Sequence, residues 1–304
     1  MNKPLELKVA GTYKKSYIQG EAFNPAGLTV SAIFPDGTVK ENVEYSITPT
    51  GPLHPNDTSV TVEYCGVQAE LKIKVRWLGN QRRYCVFNTL IDPNSALKGK
   101  TYFFLGSSVT VGSGSTHDSM ADYIAKRNGC TVIKNAVSGT TLADTDKRSY
   151  VRRLDKYIED GKKATHLDAF ICQLSTNDSN IPELFGVVAA NDIKNKSAFD
   201  KATTLGAIEY IIASVKENWD CPILFYTNCY FEKPQYEKMV EALKQIAVKW
   251  DIKIIDLYCD TRFNDISAAE RELYMHDDIH PTKAGYRDWW TPKFETALKE
   301  LISV

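Results

Sequence analysis

Near its carboxyl end the chain reads Asp277-Asp278-Ile279-His280-Pro281, and far upstream an apolar run ends in Gly106-Ser107-Ser108-Val109-Thr110. These residue types can cleave an ester together. A serine hydroxyl is a weak nucleophile until a neighbouring imidazole takes its proton, and that imidazole needs an acceptor on its other ring nitrogen. Two carboxylates, Asp277 and Asp278, lie within three residues of His280. A serine on a tight strand-to-helix turn presents its hydroxyl above a sheet, and backbone amides entering the next helix can face a developing oxyanion. Two further stretches offer donors. In Asn135-Ala136-Val137-Ser138-Gly139-Thr140 the glycine lets the backbone approach a substrate and presents its amide. In Leu174-Ser175-Thr176-Asn177-Asp178 the asparagine can donate a side-chain N–H. Each stretch alone has a plainer reading: an ordinary loop for the serines, a turn for Gly139, a cap for Asn177. Their joint occurrence in order, each at the end of an apolar run or in the last loop, is what points to chemistry.

Bringing four distant stretches to one place requires a fold that returns the chain repeatedly to the same edge. From Thr101 onward, the apolar runs 101–106, 131–136, 168–174, 222–228 and 253–257 read as strands buried on both faces. Between them Leu205, Ile208, Ile212 and Val215 recur at helical spacing, as do Met239, Leu243, Ile246 and Trp250 after Pro234, a residue suited to a first turn. Alternating strands and helices predict parallel βαβ units, hence an α/β domain over 99–304 built as a three-layer α/β/α sandwich, whose sites lie at the carboxyl ends of the strands. Residues 1–76 differ. Short alternating runs such as LELKVAG, GLTVSAIF, SVTVEYCG and AELKIKV, with a PDGT turn at 35–38, predict antiparallel strands and a small all-β sandwich. The polar stretch 77–98 has no sustained period and reads as a linker that could pack on the second domain.

In FLGSSVTVG, NAVSGTT, LSTND and DDIHPTKAGY the chain closely resembles the SGNH/GDSL hydrolases, over about residues 101–302. The resemblance implies a flavodoxin-like parallel sheet, Ser108 as nucleophile and His280 as base, with Asp277 rather than Asp278 orienting it. It also implies an oxyanion hole formed by the Ser108 and Gly139 amides and the Asn177 side chain, and no cofactor. One position departs: where the family name expects Asp before the nucleophile, this chain has Ser107. The phrases YIQGEAFNPAGLTVSAIFPDGT and TPTGPLHPNDTSVTVEYCGVQAELKIKV resemble bacterial Ig-like domains. That resemblance implies an extracellular or cell-surface bacterial setting, with the amino-terminal domain associating with a surface or polysaccharide.

Composition narrows the classes. In 304 residues, 37 Lys+Arg nearly cancel 38 Asp+Glu, so no global charge attracts nucleic acid or an anionic membrane. No run approaches the ~18 apolar residues that signal a span, so membrane insertion is not expected, and the start lacks the apolar core of a leader. Seven widely spaced cysteines without a CxxC pair argue against a disulfide framework or a zinc site. Gly99-Lys100-Thr101 lacks the earlier glycine of a P-loop, and neither GxSxG nor HExxH occurs. His117 could line a pocket but reads better as the approach to a helix. Tyr286, Trp289, Trp290, Phe294, Leu298 and Leu301 form a stripe more typical of core than of a sugar platform, which Pro292 should kink or restart. The expected activity is hydrolysis of a carboxylic ester through an acyl-enzyme, with O-acylated carbohydrate as substrate. The alternatives are a lipase-like esterase or thioesterase, or a surface-binding protein with an idle hydrolase fold.

Overall fold

The computed structural model describes residues 3–162 and 165–302, and the chain divides into two compact units, Met1–Gln81 and Arg82–Val304. Among the described residues the first unit holds eight strands: β1 (Glu6–Gly11), β2 (Ser16–Ile18), β3 (Leu28–Ile33), β4 (Val39–Lys40), β5 (Ser46–Thr48), β6 (Ser59–Tyr64), β7 (Val67–Lys72) and β8 (Lys74–Arg76). Antiparallel pairing gives the sheets β1-β3-β4 and β5-β6-β7, while β2 and β8 pair in parallel. The period-two pattern explains which residues go inward: Val30 and Ala32 of β3 meet Val62 of β6 and Leu71 of β7 in one apolar cluster. The turn at 35–38 closes β3 onto β4, with the Asp36 carboxylate accepting the Thr38 amide at 3.0 Å and Gly37 at φ +84°.

The second unit carries β9 (Thr101–Gly106), β10 (Thr131–Ala136), β11 (Ala169–Gln173), β12 (Ile223–Tyr226) and β13 (Lys253–Ile255). They form one all-parallel sheet in the order β10-β9-β11-β12-β13. Its helices are α1 (Ser108–Val111), α2 (Met120–Asn128), α3 (Tyr150–Glu159), α4 (Thr204–Asn218), α5 (Pro234–Trp250), α6 (Thr261–Asn264), α7 (Ala268–Tyr274) and α8 (Thr291–Ile302). Both sheet faces are apolar because neighbouring strand residues face opposite sides. Phe103, Phe170 and Phe225 pack with Leu154 of α3, Ile208 of α4 and Leu243 of α5. Phe104, Ile171 and Tyr226 pack with Tyr123 of α2 and Phe294 of α8. Each fully buried side chain of this size contributes roughly 1.5–3 kcal/mol, so the sheet is a rigid base for whatever its ends carry.

Pro234 opens α5, as its fixed φ allows. Pro292 falls in the first turn of α8, directly after a π-helical turn at Gly285–Trp290, so the chain restarts its helix there. The stripe it carries is mostly core: Tyr286, Trp290, Phe294 and Leu298 are fully buried, and the partly buried Trp289 stacks with Phe263 and Tyr274.

The stretch 77–98 is split between the units. From Arg82 it packs on the second unit: Tyr123 Oη donates to the Tyr84 carbonyl at 2.7 Å, Ser95 Oγ to Asn128 Oδ1 at 2.6 Å, and Leu97 is buried in the α2 and α8 layer. Among the described residues no helix is long and apolar enough to cross a membrane.

Candidate active site

Sheet order reverses at β9, with β10 on one side and β11 on the other, and loops diverging from such a point leave a crevice at the carboxyl ends. Ser108 follows β9, Gly139 follows β10, and Asn177 follows β11. The serine turn is held from beneath. Gln173, the last residue of β11, accepts from the Ser107 amide at 2.8 Å, the Thr110 hydroxyl at 2.8 Å and the Thr110 amide at 3.3 Å. A Cβ at Gly106 would lie 1.6 Å from Thr110 Oγ1, so only glycine permits this turn. Ser107 points inward, its hydroxyl fully buried beside Tyr150 and without a partner in hydrogen-bond geometry among the described residues. Ser108 faces the other way.

The loop after α7 supplies the partner. Met275 bridges to Pro281, the His276 amide donates to the His280 carbonyl at 2.8 Å, and the Thr282 amide to the Tyr274 carbonyl at 2.8 Å, which closes residues 275–281 into a tight loop. Inside it Asp277 Oδ1 accepts the Ile279 amide at 2.8 Å and the His280 amide at 2.7 Å. The three-residue spacing thus serves two ends at once: the carboxylate shapes the turn and meets the imidazole it positions. His280 Nδ1 lies 2.8 Å from Asp277 Oδ2, and His280 Nε2 lies 2.7 Å from Ser108 Oγ. Burial disfavours the Asp277 charge. The nearby His276 ring and the hydrogen bonds from the His280 ring and the two amides outweigh it and hold this carboxyl well below the usual carboxylate range. Asp278 points away, 83% exposed and paired with Arg271 at 2.9 Å.

Gly139 is exposed at φ +76° with open space where a side chain would stand. Asn177 Nδ2 donates to the Thr140 carbonyl at 2.9 Å, fixing the amide plane and tying the β11 loop to the residue beside Gly139. Asp178 strengthens the same link by accepting from the Leu142 and Ala143 amides at 2.8 and 3.0 Å, while burial pushes its carboxyl up. His117 is exposed at φ +75° and precedes the capping box of Ser119 and Asp122 at the start of α2. Among the described residues no group of three His, Cys, Asp or Glu is placed to hold a metal ion.

Four residues of this framework receive no role in the site from the sequence reading. His276 stands second on the Asp277 carboxylate, Nδ1 to Oδ2 at 3.5 Å, and its place beside the motif was the available signal. Gly114 packs so closely that a Cβ would lie 2.9 Å from the Cβ atoms of both His276 and His280. Gln173 and Arg153 act from a strand and a helix, through contacts that no local pattern announces. A serine hydroxyl, an imidazole and a carboxylate in one hydrogen-bonded row can carry a proton away from the hydroxyl and return it to a leaving group.

The sequence profile of the GDSL-like lipase/acylhydrolase family matches residues 104–287. Among solved structures, one is 21% identical with a TM-score of 0.54, covering 68% of this chain and 99% of its own. A Lactobacillus plantarum protein is 20% identical with a TM-score of 0.52, covering 67% and 98%. An acetylxylan esterase from Geobacillus stearothermophilus is 15% identical with a TM-score of 0.45, covering 66% and 94%. No curated protein matches the chain significantly.

Proposed function

This chain belongs to the GDSL-like lipase/acylhydrolase family of serine ester hydrolases, and from that premise we propose that it cleaves carboxylic esters with Ser108 as nucleophile, His280 as base and Asp277 as the group that orients His280. The observation that carries the assignment is the continuous row from Ser108 Oγ through His280 to Asp277, at 2.7 and 2.8 Å. As Ser108 Oγ attacks the carbonyl carbon, its proton passes to His280 Nε2. The imidazolium is stabilised by Asp277, whose lowered pKa keeps it ionised throughout. The carbonyl oxygen, now negative, takes hydrogen bonds from the Ser108 and Gly139 amides and the Asn177 side chain. Losing one such donor typically costs ~2.7–4 kcal/mol of barrier. His280 then protonates the departing alcohol, and the acyl-enzyme is hydrolysed by water activated at the same nitrogen.

The substrate class we favour is O-acylated carbohydrate with a short acyl group. Exposed hydroxyls support it: Ser113 and Ser138, joined at 2.8 Å, stand between the Gly114 turn and Gly139 and give this side of the site a polar rim suited to a sugar. The amino-terminal strands, whose sequence resembles bacterial Ig-like modules, fit a chain that works outside the cell and associates with a surface or polysaccharide. Acetate release from a panel of acetylated glycans, against turnover of nitrophenyl esters of increasing acyl length, is the test. Release from glycans with short-chain preference supports this reading. A rate that climbs with acyl length points instead to a lipase-like esterase or thioesterase, and no turnover of any ester to an idle fold.

A further inference from the structure

Beneath the crevice lies a cation that the steps above do not use. Arg153 projects from the first turns of α3, and its five N–H groups meet five acceptors. Nε donates to the Arg148 carbonyl at 2.8 Å. Nη1 donates to the Asn135 carbonyl at 2.6 Å and to Asn135 Oδ1 at 2.7 Å. Nη2 donates to the Gly106 carbonyl at 2.8 Å and to Thr140 Oγ1 at 3.3 Å. Every partner is neutral, and among the described residues no carboxylate lies within 4.0 Å of this guanidinium. The Tyr150 ring covers it at 5.0 Å from the ring centroid. Burying a cation with no carboxylate in direct contact is costly: burial pulls this guanidinium below its ordinary value, and the Asp146 carboxylate opposes that from beyond contact distance.

The acceptors show what the use is. Gly106 stands two residues before Ser108, and Thr140 directly follows Gly139. Asn135 is the last but one residue of β10, the strand that leads to Gly139. One rigid fork therefore clamps the carboxyl ends of β9 and β10 and sets the spacing of the two loops that carry the Ser108 and Gly139 amides. We propose that Arg153 is a positioning residue of the esterase: its fork fixes the separation of the two amides that receive the oxyanion, and its charge, which no carboxylate contacts, favours negative charge there. Both effects act on the transition state more than on the bound ester, because the carbonyl oxygen becomes an anion only as the reaction proceeds.

This inference rests on Ser108 and Gly139 having the roles proposed above, and the test separates the two levels. In the full chain, Arg153→Lys keeps the charge and loses the fork, whereas Asn135→Asp keeps the fork and places a carboxylate on the guanidinium. Steady-state kinetics on para-nitrophenyl acetate are measured with thermal midpoints for each. The expected result is a fall in kcat of roughly 10-fold or more in both variants with KM within about three-fold, the signature of an interaction made mainly in the transition state. Asn135→Asp in addition keeps or raises the thermal midpoint, which a purely structural role for Arg153 would not combine with a lost kcat. A kcat within about two-fold of the parent in either folded variant overturns the proposal. Should Arg153→Lys fail to fold, Asn135→Asp alone decides it by the same criterion. Full activity in Ser108→Ala would defeat the underlying reading instead, whatever the Arg153 variants do.

Discussion

Asp277 and Asp278 are chemically identical neighbours, and their surroundings divide the work between them. Asp277 accepts two backbone amides and the His280 imidazole and faces a second imidazole, that of His276, whereas Asp278 holds one exposed arginine. Asp277→Asn should therefore cut kcat by about 10⁴-fold, the loss expected when an amide favours the wrong tautomer of the base. Asp278→Asn should leave kcat within a few-fold, since an exposed ion pair contributes little. Kinetics of the two variants on one nitrophenyl ester check this, and equal losses would contradict the division. The same carboxylate shapes the acid limb of stability. Its native pKa lies below the unfolded value of ~3.9, so the stabilisation it gives is present above that pH and is lost as pH falls toward the native value. Thermal midpoints recorded from neutral to acid pH should fall less steeply in Asp277→Asn than in the parent chain.

At the scale of elements, the loop 275–281 must be seated on the turn that follows Ser108, and Gly114 is the seat. A Cβ there would lie 2.7 Å from the Pro281 carbonyl oxygen and 2.9 Å from the Cβ atoms of His276 and His280. Gly114→Ala should push the imidazole off Ser108 and lower kcat by about 10²-fold, the scale of a 1 Å misplacement. Overpacking should cost only ~1–3 kcal/mol of stability. An active Gly114→Ala enzyme with unchanged kinetics would show that the loop has room to shift. The strands and helices around this site were legible because period two and period 3.6 are written in adjacent residues: 101–106 and 131–136 recur residue for residue as β9 and β10. The Asp-to-His spacing was legible for the same reason, being local. What stayed hidden was tertiary. Gln173 reads as one polar residue in an apolar strand, and Arg153 as one of two adjacent arginines on a helix. Residues 82–98 have no period, yet Tyr84, Ser95 and Leu97 are fixed by partners far along the chain.

For the molecule as a whole, every residue of the proposed site lies in Arg82–Val304, and solved chains similar to about two thirds of this one are covered almost to their full length. A chain lacking residues 1–76 should keep turnover of small soluble esters within a few-fold, because a unit with its own core need not share stability with its neighbour. A chain lacking 1–98 should be destabilised or aggregate, since it loses Leu97 from the core and the partners of Tyr123 and Asn128. Size-exclusion chromatography and nitrophenyl ester kinetics distinguish these outcomes, and collapse of activity in a folded 77–304 chain would mean that the first unit helps to build the site. On an insoluble acetylated polymer the full chain should outperform the truncated one if the first unit tethers it, through local concentration alone. Chemistry, turn and fold meet at Ser108, so covalent labelling of the native full chain by an organophosphate, mapped by peptide mass spectrometry, is the most direct test of the proposed mechanism. One label per chain on Ser108, with turnover lost in proportion and both effects absent in Ser108→Ala, is the expected result. A label on Ser107 or Ser113, or turnover that survives full modification of Ser108, would contradict it.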